Sequence, residues 1–397
     1  MTLTDGLGEP ISDPTVLQVA MDCVERNAGI PKAVEDFRRA LGGAILSFTA
    51  PGLIPEAGAP DVIHLPTGDG PVVRGYGMPE RQAVEQCART RLRRVELIVV
   101  HGLYRYHAQW GAAFARARRI PYWVVPHGAL DPWVFSYRSL QKRAWMRLIG
   151  SRVLREARSV VVATAREAEK AARHLAGCRV RVAHLPVTPV AIEGREEART
   201  SVREQLGISN DARILLFLGR LHPMKRVLET IDAVHRAARP AVHLVVVGPS
   251  SPDLSIENCR ARAHALGAGN VHIMGPSFGA GRDRWLLGAD ALISLSHREN
   301  FNYAAAEALS AGLPVILSPG NDLASELAVR GVGWLLKSFA PQDEVEAVRD
   351  FGAAPVERLR AMGAAGARWA ATELSEDAFR TTLHQLRDGA LSESSRS

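Results

Sequence analysis

Short runs rich in Val, Ile and Leu recur along this chain, separated by longer stretches whose apolar residues follow a helical period. Strands of that composition are apolar on both faces, so they belong in parallel sheets whose crossover helices cover both sides. The runs form two sets: 16–20, 44–49, 62–65, 97–100, 122–125, 160–163 and 180–185, then 214–218, 243–247, 271–274, 291–295, 315–317 and 333–336. Between them, 185–203 carries Pro186, Pro189 and Gly194 with no strong period and is expected to be a linker. The second set opens with a fresh strand, turn and helix from Arg213, as a new nucleotide-binding half would. The chain is therefore expected to be α/β, with two doubly wound, Rossmann-like domains facing across a cleft. Their expected bounds are 1–188 and 189–371, with 372–397 a C-terminal helix returning to the first domain and ending in a polar tail. A length of 397 residues is more than one core usually organises.

Composition narrows the class. No run of about eighteen apolar residues appears, and the N-terminus lacks the basic and apolar regions of a signal peptide. Cys23, Cys87, Cys178 and Cys259 lie far apart without C-x-x-C spacing, so no zinc site or disulfide framework is expected and a reducing, cytoplasmic setting fits best. The net charge of +7 suits an anionic partner. Basic residues are not interleaved with stacking aromatics, which argues against nucleic acid. No G-x-G-x-x-G follows an early strand, which argues against a dinucleotide-dependent oxidoreductase.

In doubly wound sheets ligands bind beyond the carboxyl ends of the strands, so strand-to-helix turns are where chemistry is sought. The richest such stretch begins at Leu292: a buried strand ends near Ser296, a polar loop with Glu299 follows, and a helix runs from about Asn302 to Gly312. Glu307 lies inside that helix beyond Ala304, Ala305 and Ala306. A helix N-terminus offers unpaired amides and positive partial charge to a diphosphate, and a carboxylate nearby can accept from vicinal sugar hydroxyls. From spacing alone the plainer reading is favoured, with Glu299 a helix-start charge and Glu307 a solvated or salt-bridged helix face. The second stretch is Gly219-Arg220-Leu-His-Pro-Met-Lys225, directly after the strand 214–218. Two cations on one short turn can converge on a pyrophosphate, although each taken singly also suits a solvated helix start.

These two stretches, with the A-x-G-x-P-V run from Ala311 to Val315, resemble the retaining, family 4 type of glycosyltransferase with the GT-B fold. The resemblance implies that Gly219, Arg220 and Lys225 form the phosphate turn, with the two cations on the diphosphate. It also implies that Glu307 holds the ribose hydroxyls, that Glu299 holds those of the donor sugar, and that Asn300 and the amides of Phe301 and Asn302 line the donor. Many relatives have glycine where Asn300, Asn302 and Arg226 stand. In the first half, His101-Gly102 and His127-Gly128 close consecutive strands, and PHGALDPW resembles the family's P-H-G-x-L-D-P-W pattern, which points His127 at the donor sugar. An ordinary structural histidine remains an alternative for both. Gly29 stands where relatives carry a glycine-rich loop against phosphate and acceptor, and a tight turn explains it as well. Gly29, His101, Gly102, His127 and Gly128 are thus assigned to the acceptor side, with His127 also turned to the donor sugar.

From Tyr137 to Arg158 seven cations face one acid, Glu156. Tyr137, Leu140, Ala144 and Leu148, beside a row of Trp145, Ile149 and Val153, supply an apolar face, so the stretch reads as a basic amphipathic helix. It suits an anionic lipid surface or a lipid-diphosphate acceptor, and packing of its apolar stripe on the sheet suits it slightly better. The combined expectation is a hexosyltransferase that moves sugar, with retention, from a nucleotide-diphosphate sugar to a hydroxyl of a polysaccharide or lipid-linked glycan. Arg220, Lys225, Glu299 and His127 are its catalytic candidates. No cofactor and no metal are expected, since no D-x-D pair sits in a strand-end loop, and the protein is expected in the cytoplasm, peripheral at the inner face of the membrane. The competing readings are a nucleotide-sugar epimerase or hydrolase on the same fold, and a noncatalytic module recruited to a membrane by the basic helix.

Overall fold

A computed structural model describes residues 14–23, 29–55, 59, 61–68, 75–136 and 139–394. The chain divides into two compact units, residues 1–185 with 377–397, and residues 186–376.

The first unit is built on seven parallel strands in the order β3-β2-β1-β4-β5-β6-β7. They are β1 Val16–Met21, β2 Ala44–Thr49, β3 Val62–Pro66, β4 Leu97–His101, β5 Tyr122–Val125, β6 Ser159–Val162 and β7 Val180–Val182. Each occupies one of the apolar runs of the sequence. Leu17, Leu46, Ile98 and Val124 are fully buried together with the small residues Ala108 and Ala112 of the helix Tyr106–Arg118. Burying a side chain such as Leu or Val contributes roughly 1.5–3 kcal/mol, so four such strands outweigh any local preference of these segments. Only β7, at the sheet edge, leaves residues exposed. The last helix, Glu376–Ser394, is tied to this unit: Phe379 meets Phe37 edge-on at 5.0 Å, and His384 bonds the Ala40 carbonyl at 3.0 Å.

The second unit has six parallel strands in the order β10-β9-β8-β11-β12-β13. They are β8 Arg213–Leu218, β9 Val242–Val247, β10 Val271–Ile273, β11 Ala291–Ser294, β12 Val315–Leu317 and β13 Gly333–Leu335. In both sheets the strand order reverses once, between β1 and β4 and between β8 and β11, and such switch points leave a crevice at the carboxyl edge.

Two expectations about elements are corrected. The stretch 185–203 is a linker only in its first half. After Gly194 in the left-handed region, at φ +77°, the helix Arg195–Leu206 begins with Glu196 and Glu197 in its first turn. Its Arg203, 2% exposed, bonds Asp290 at 2.7 Å and the carbonyls of Gly288 and Ala212, so it packs as part of the second unit. The basic stretch is not one continuous helix either. Helix Ser139–Trp145 passes through a π turn, Met146–Gly150, into the short helix Ser151–Arg155. The wider turn shifts the phase, so Trp145, Met146, Val153 and Leu154 face the core. Leu140 and Leu148 of the other expected row are 78% and 77% exposed, and Ala144 is exposed with them. Tyr137 lies outside the described residues.

Candidate active site

The turn after β8, expected to meet phosphate, is held by close backbone contact. At Gly248 a Cβ would stand 1.8 Å from the Gly219 carbonyl oxygen, so glycine is required for β8 and β9 to end side by side. Leu221 N then donates to Pro249 O at 2.8 Å. The chain continues through a single 3-10 turn, Pro223–Lys225, capped by His222, whose Nδ1 accepts from Met224 N at 3.0 Å. Arg220 is exposed and makes no ion pair with any described residue. Lys225 is half-buried and forms an ion pair with Glu299.

The loop after β11 meets this turn directly. His297 N donates to Met224 O at 2.8 Å, a backbone bond that joins the two stretches singled out in the sequence. Glu299 is anchored on three sides: its amide donates to Gly320 O at 2.9 Å, its carbonyl accepts from Asp322 N at 2.9 Å, and its Oε1 accepts from Ser296 Oγ at 2.9 Å. Phe301 is 2% exposed and packs edge-on against Tyr303 at 5.1 Å, which leaves only its backbone to meet a ligand.

Asn302 is the N-cap of the helix Tyr303–Ser310 and adopts φ +57°, a conformation that glycine takes without strain and asparagine tolerates. Its side chain turns inward. The carboxamide oxygen accepts from Ala305 N at 3.3 Å, and the nitrogen donates to Ser294 Oγ at 3.0 Å and to Asn321. Arg226 behaves likewise: at φ +54° its guanidinium is buried against Glu344 and the face of Phe339. Substituting side chains for glycine at these two positions therefore keeps the glycine backbone and takes no room from the rim of the strand ends.

Glu307 is buried within the helix and pairs with Arg282 of the helix Ala280–Gly288. The salt-bridged reading of Glu307 thus describes the observed contact, but with a partner that nothing in local spacing announced. Gly312 terminates the helix in the left-handed region, at φ +71°.

In the first unit the two histidines come together. His101 closes β4, is 2% exposed, and places Nδ1 3.0 Å from His127 Nε2. Both of its ring nitrogens are engaged, the other with Gln18 at 2.9 Å, so His101 stands behind His127 and does not face outward as a strand-end residue was expected to. His127 has φ +51° and Gly128 φ +72°, and the same feature recurs at Asp22 after β1 and at Gly102 and Tyr104 after β4. Positive φ at a histidine, an aspartate and a tyrosine costs on the order of 1–2 kcal/mol each, and such strain concentrates at functional sites. The turn is held by Glu167, 4% exposed, whose carboxylate accepts from Gly128 N at 2.6 Å and Ala163 N at 2.8 Å. Burial pushes the His127 ring down to about 4, and burial with the neighbouring histidines holds His101 well below the usual histidine range. Gly29 begins the helix Gly29–Leu41, and a Cβ there would meet nothing within 4 Å; residues 24–28, the rest of the expected phosphate loop, lie outside the described residues.

Family models match both halves. Residues 198–369 match "Glycosyl transferases group 1" and residues 39–188 match "Glycosyl transferase 4-like domain". Curated relatives include a D-inositol 3-phosphate glycosyltransferase of Segniliparus rotundus, 34% identical over 49% of this chain and 44% of its own length. One of Streptomyces avermitilis is 32% identical over 56% of this chain and 50% of its own. The chain thus spans about half the length of these relatives. Among solved structures, sucrose-phosphate synthase from Thermosynechococcus elongatus superposes with TM-score 0.72 at 16% identity, covering 96% of this chain and 100% of that one. Anabaena HepE in complex with UDP and glucose gives TM-score 0.71 at 16% identity, covering 94% and 100%. The fold is GT-B, and both halves carry glycosyltransferase domains.

Proposed function

We propose that this chain of two glycosyltransferase-type halves transfers a hexose, with retention, from a uridine-diphosphate sugar to a hydroxyl group. The observation that carries the proposal is the hydrogen bond from His297 N to Met224 O, because it gathers Arg220, Lys225 and Glu299 on two adjoining turns at the start of the helix Tyr303–Ser310. Breaking the bond between the anomeric carbon and the diphosphate places charge on the leaving oxygen. Arg220, Lys225 and the helix amides are preorganised positive groups for it. Glu299, already fixed by Ser296 and the Gly320 carbonyl, presents a carboxylate to sugar hydroxyls, and Glu307, whose partner in this structure is Arg282, is assigned to the ribose. These cations balance the diphosphate without a metal, so transfer persists in excess chelator. The choice of uridine rests on relatives of the same fold that hold UDP and glucose.

The acceptor is a hydroxyl of a polysaccharide or a lipid-linked glycan. The exposed Leu140 and Leu148 among Arg143, Arg147, Arg152 and Arg155 favour such an acceptor at an anionic membrane face, with the protein peripheral on the cytoplasmic side. A second reading, a phosphorylated polyol as acceptor, is favoured by relatives named D-inositol 3-phosphate glycosyltransferase.

A thermal-shift panel of nucleoside diphosphates and their sugar conjugates, followed by product analysis, tests the proposal. A ligand present at a hundred times its Kd stabilises by about 2.7 kcal/mol, so UDP and UDP-sugars raise Tm by a few degrees and other nucleotides do not. Glu299→Gln keeps the UDP shift but loses at least about tenfold in transfer, because the lost contact is to the sugar. No shift with any nucleotide overturns the proposal, and donor turnover without an acceptor product converts it to an epimerase or hydrolase.

A further inference from the structure

Beneath the turn that carries His127, three side chains form a line into the interior of the first sheet. Gln18 lies in β1 with no solvent exposure, and His101 at the end of the adjacent β4 is 2% exposed. Gln18 Oε1 stands 2.9 Å from His101 Nε2, and His101 Nδ1 stands 3.0 Å from His127 Nε2. The two rings are nearly parallel, 17° apart, and Phe37 closes the flank of His101 edge-on at 5.1 Å. The contact with His101 is the one hydrogen bond of the Gln18 side chain among the described residues, and its amide nitrogen has no partner.

Such a line carries protons in one direction only. A carbonyl oxygen accepts and never donates, so His101 must bear its proton on Nε2. Burial keeps His101 neutral, which leaves Nδ1 as a lone pair. The bond between the rings then needs its proton from His127 Nε2, and a neutral His127 has nothing left on Nδ1. His107 bonds the His101 carbonyl through its own Nε2 at 2.7 Å, which fixes the backbone of the middle member without competing for its ring.

We infer that Gln18 is a positioning residue that, through His101, fixes His127 as its Nε2–H tautomer, so that the bare Nδ1 accepts a hydrogen bond from a substrate hydroxyl. This rests on the proposed reading of His127 as a group that meets a sugar. It adds the sign of the contact: His127 takes a hydrogen bond from the hydroxyl and does not give one. The tautomer of a working histidine is set by what its other nitrogen meets, and here that partner's own polarity is set one residue further in.

The test begins with the unaltered full chain labelled with 15N-histidine. Long-range proton–nitrogen spectra at neutral pH, assigned with His101→Asn and His127→Asn, show an unprotonated Nδ1 and a protonated Nε2 for His127. In Gln18→Met, which matches the volume but neither accepts nor donates, the His127 signals shift toward a mixture of tautomers. In the same variant kcat for hexose transfer from UDP-glucose falls about tenfold, while donor KM stays within about twofold. A purely packing role would leave the tautomer alone. A wild-type His127 with its proton on Nδ1, or a Gln18→Met spectrum unchanged from wild type, overturns the inference. An unchanged kcat beside a shifted tautomer overturns it as well. If the protein transfers no sugar, the reading of His127 as a substrate group fails, and the spectra still decide the relay.

Discussion

Two residues at positions where the resemblance leads one to expect glycine show how side chains can occupy a left-handed backbone. Asn302 and Arg226 both sit at positive φ and both bury their polar ends, but on different terms. Asparagine tolerates this backbone, and its amide caps the helix it precedes. Arginine does not, and its strain is offset by a buried pair with Glu344, whose carboxyl burial pushes up while Arg226 draws it down. Removing one partner of such a pair leaves an uncompensated charge and costs about 3–5 kcal/mol. Arg226→Gly relieves about 1 kcal/mol of backbone strain, so the net loss is about 2–4 kcal/mol. Arg226→Gly with Glu344→Leu returns to within about 1 kcal/mol of wild type. Urea unfolding of the three proteins measures this, and a single Arg226→Gly as stable as wild type would show that the pair holds nothing. The family resemblance marked position 226 as unusual. It could not supply Glu344, because that partner is 118 residues away and is brought in by the helix Pro341–Ala353.

At the scale of elements, the strands were legible because burial on both faces of a parallel sheet demands unbroken apolar runs, and each of the thirteen observed strands coincides with one. The basic stretch was only half legible. Its composition announced a helix with an apolar stripe, but two apolar rows competed for the core, and the π turn at Met146–Gly150 settled which one is buried. Gly150 allows that turn, since a Cβ there would stand 2.5 Å from the Trp145 ring. The displaced row leaves Leu140 and Leu148 in solvent beside Arg143 and Arg147. No helix of the described residues is long and apolar enough to cross a membrane, so contact with lipid would be at the surface. Each arginine near an anionic surface adds about 1 kcal/mol, and each leucine reaching the acyl boundary adds a comparable amount. Vesicles rich in phosphatidylglycerol therefore sediment the protein at low salt and neutral vesicles do not. Leu140→Ser with Leu148→Ser weakens partitioning about tenfold or more. Equal binding to neutral and anionic vesicles would rule out this surface.

For the whole molecule, the buried histidines of the first unit set a pH dependence. His127 and His107 are each held down to about 4, by burial first, against an ordinary 6.5, and burial with the neighbouring histidines also holds His101 well below that ordinary value. Between those values the unfolded chain binds protons that the folded unit refuses, so stability is full above about 6.5 and is lost as pH falls toward about 4. The effect is on the order of 3 kcal/mol for each of His127 and His107. Hydrogen-exchange protection, corrected for the intrinsic rate, should fall in β4 and β5 over that window while β8 and β11 change less. Equal loss in both units would point to net charge as the cause. By itself the sequence determined the two sheets, the two strand-end turns after β8 and β11 and the residues on them, because strand burial, helix ends and turn chemistry act over a few neighbouring residues. Only the tertiary structure decided which polar groups meet: Arg282 on Glu307, Glu344 on Arg226, Glu167 on Gly128 and Gln18 on His101. Each of those contacts joins separate elements, and a buried polar group is satisfied by whatever the packed sheet places beside it, which no local pattern records.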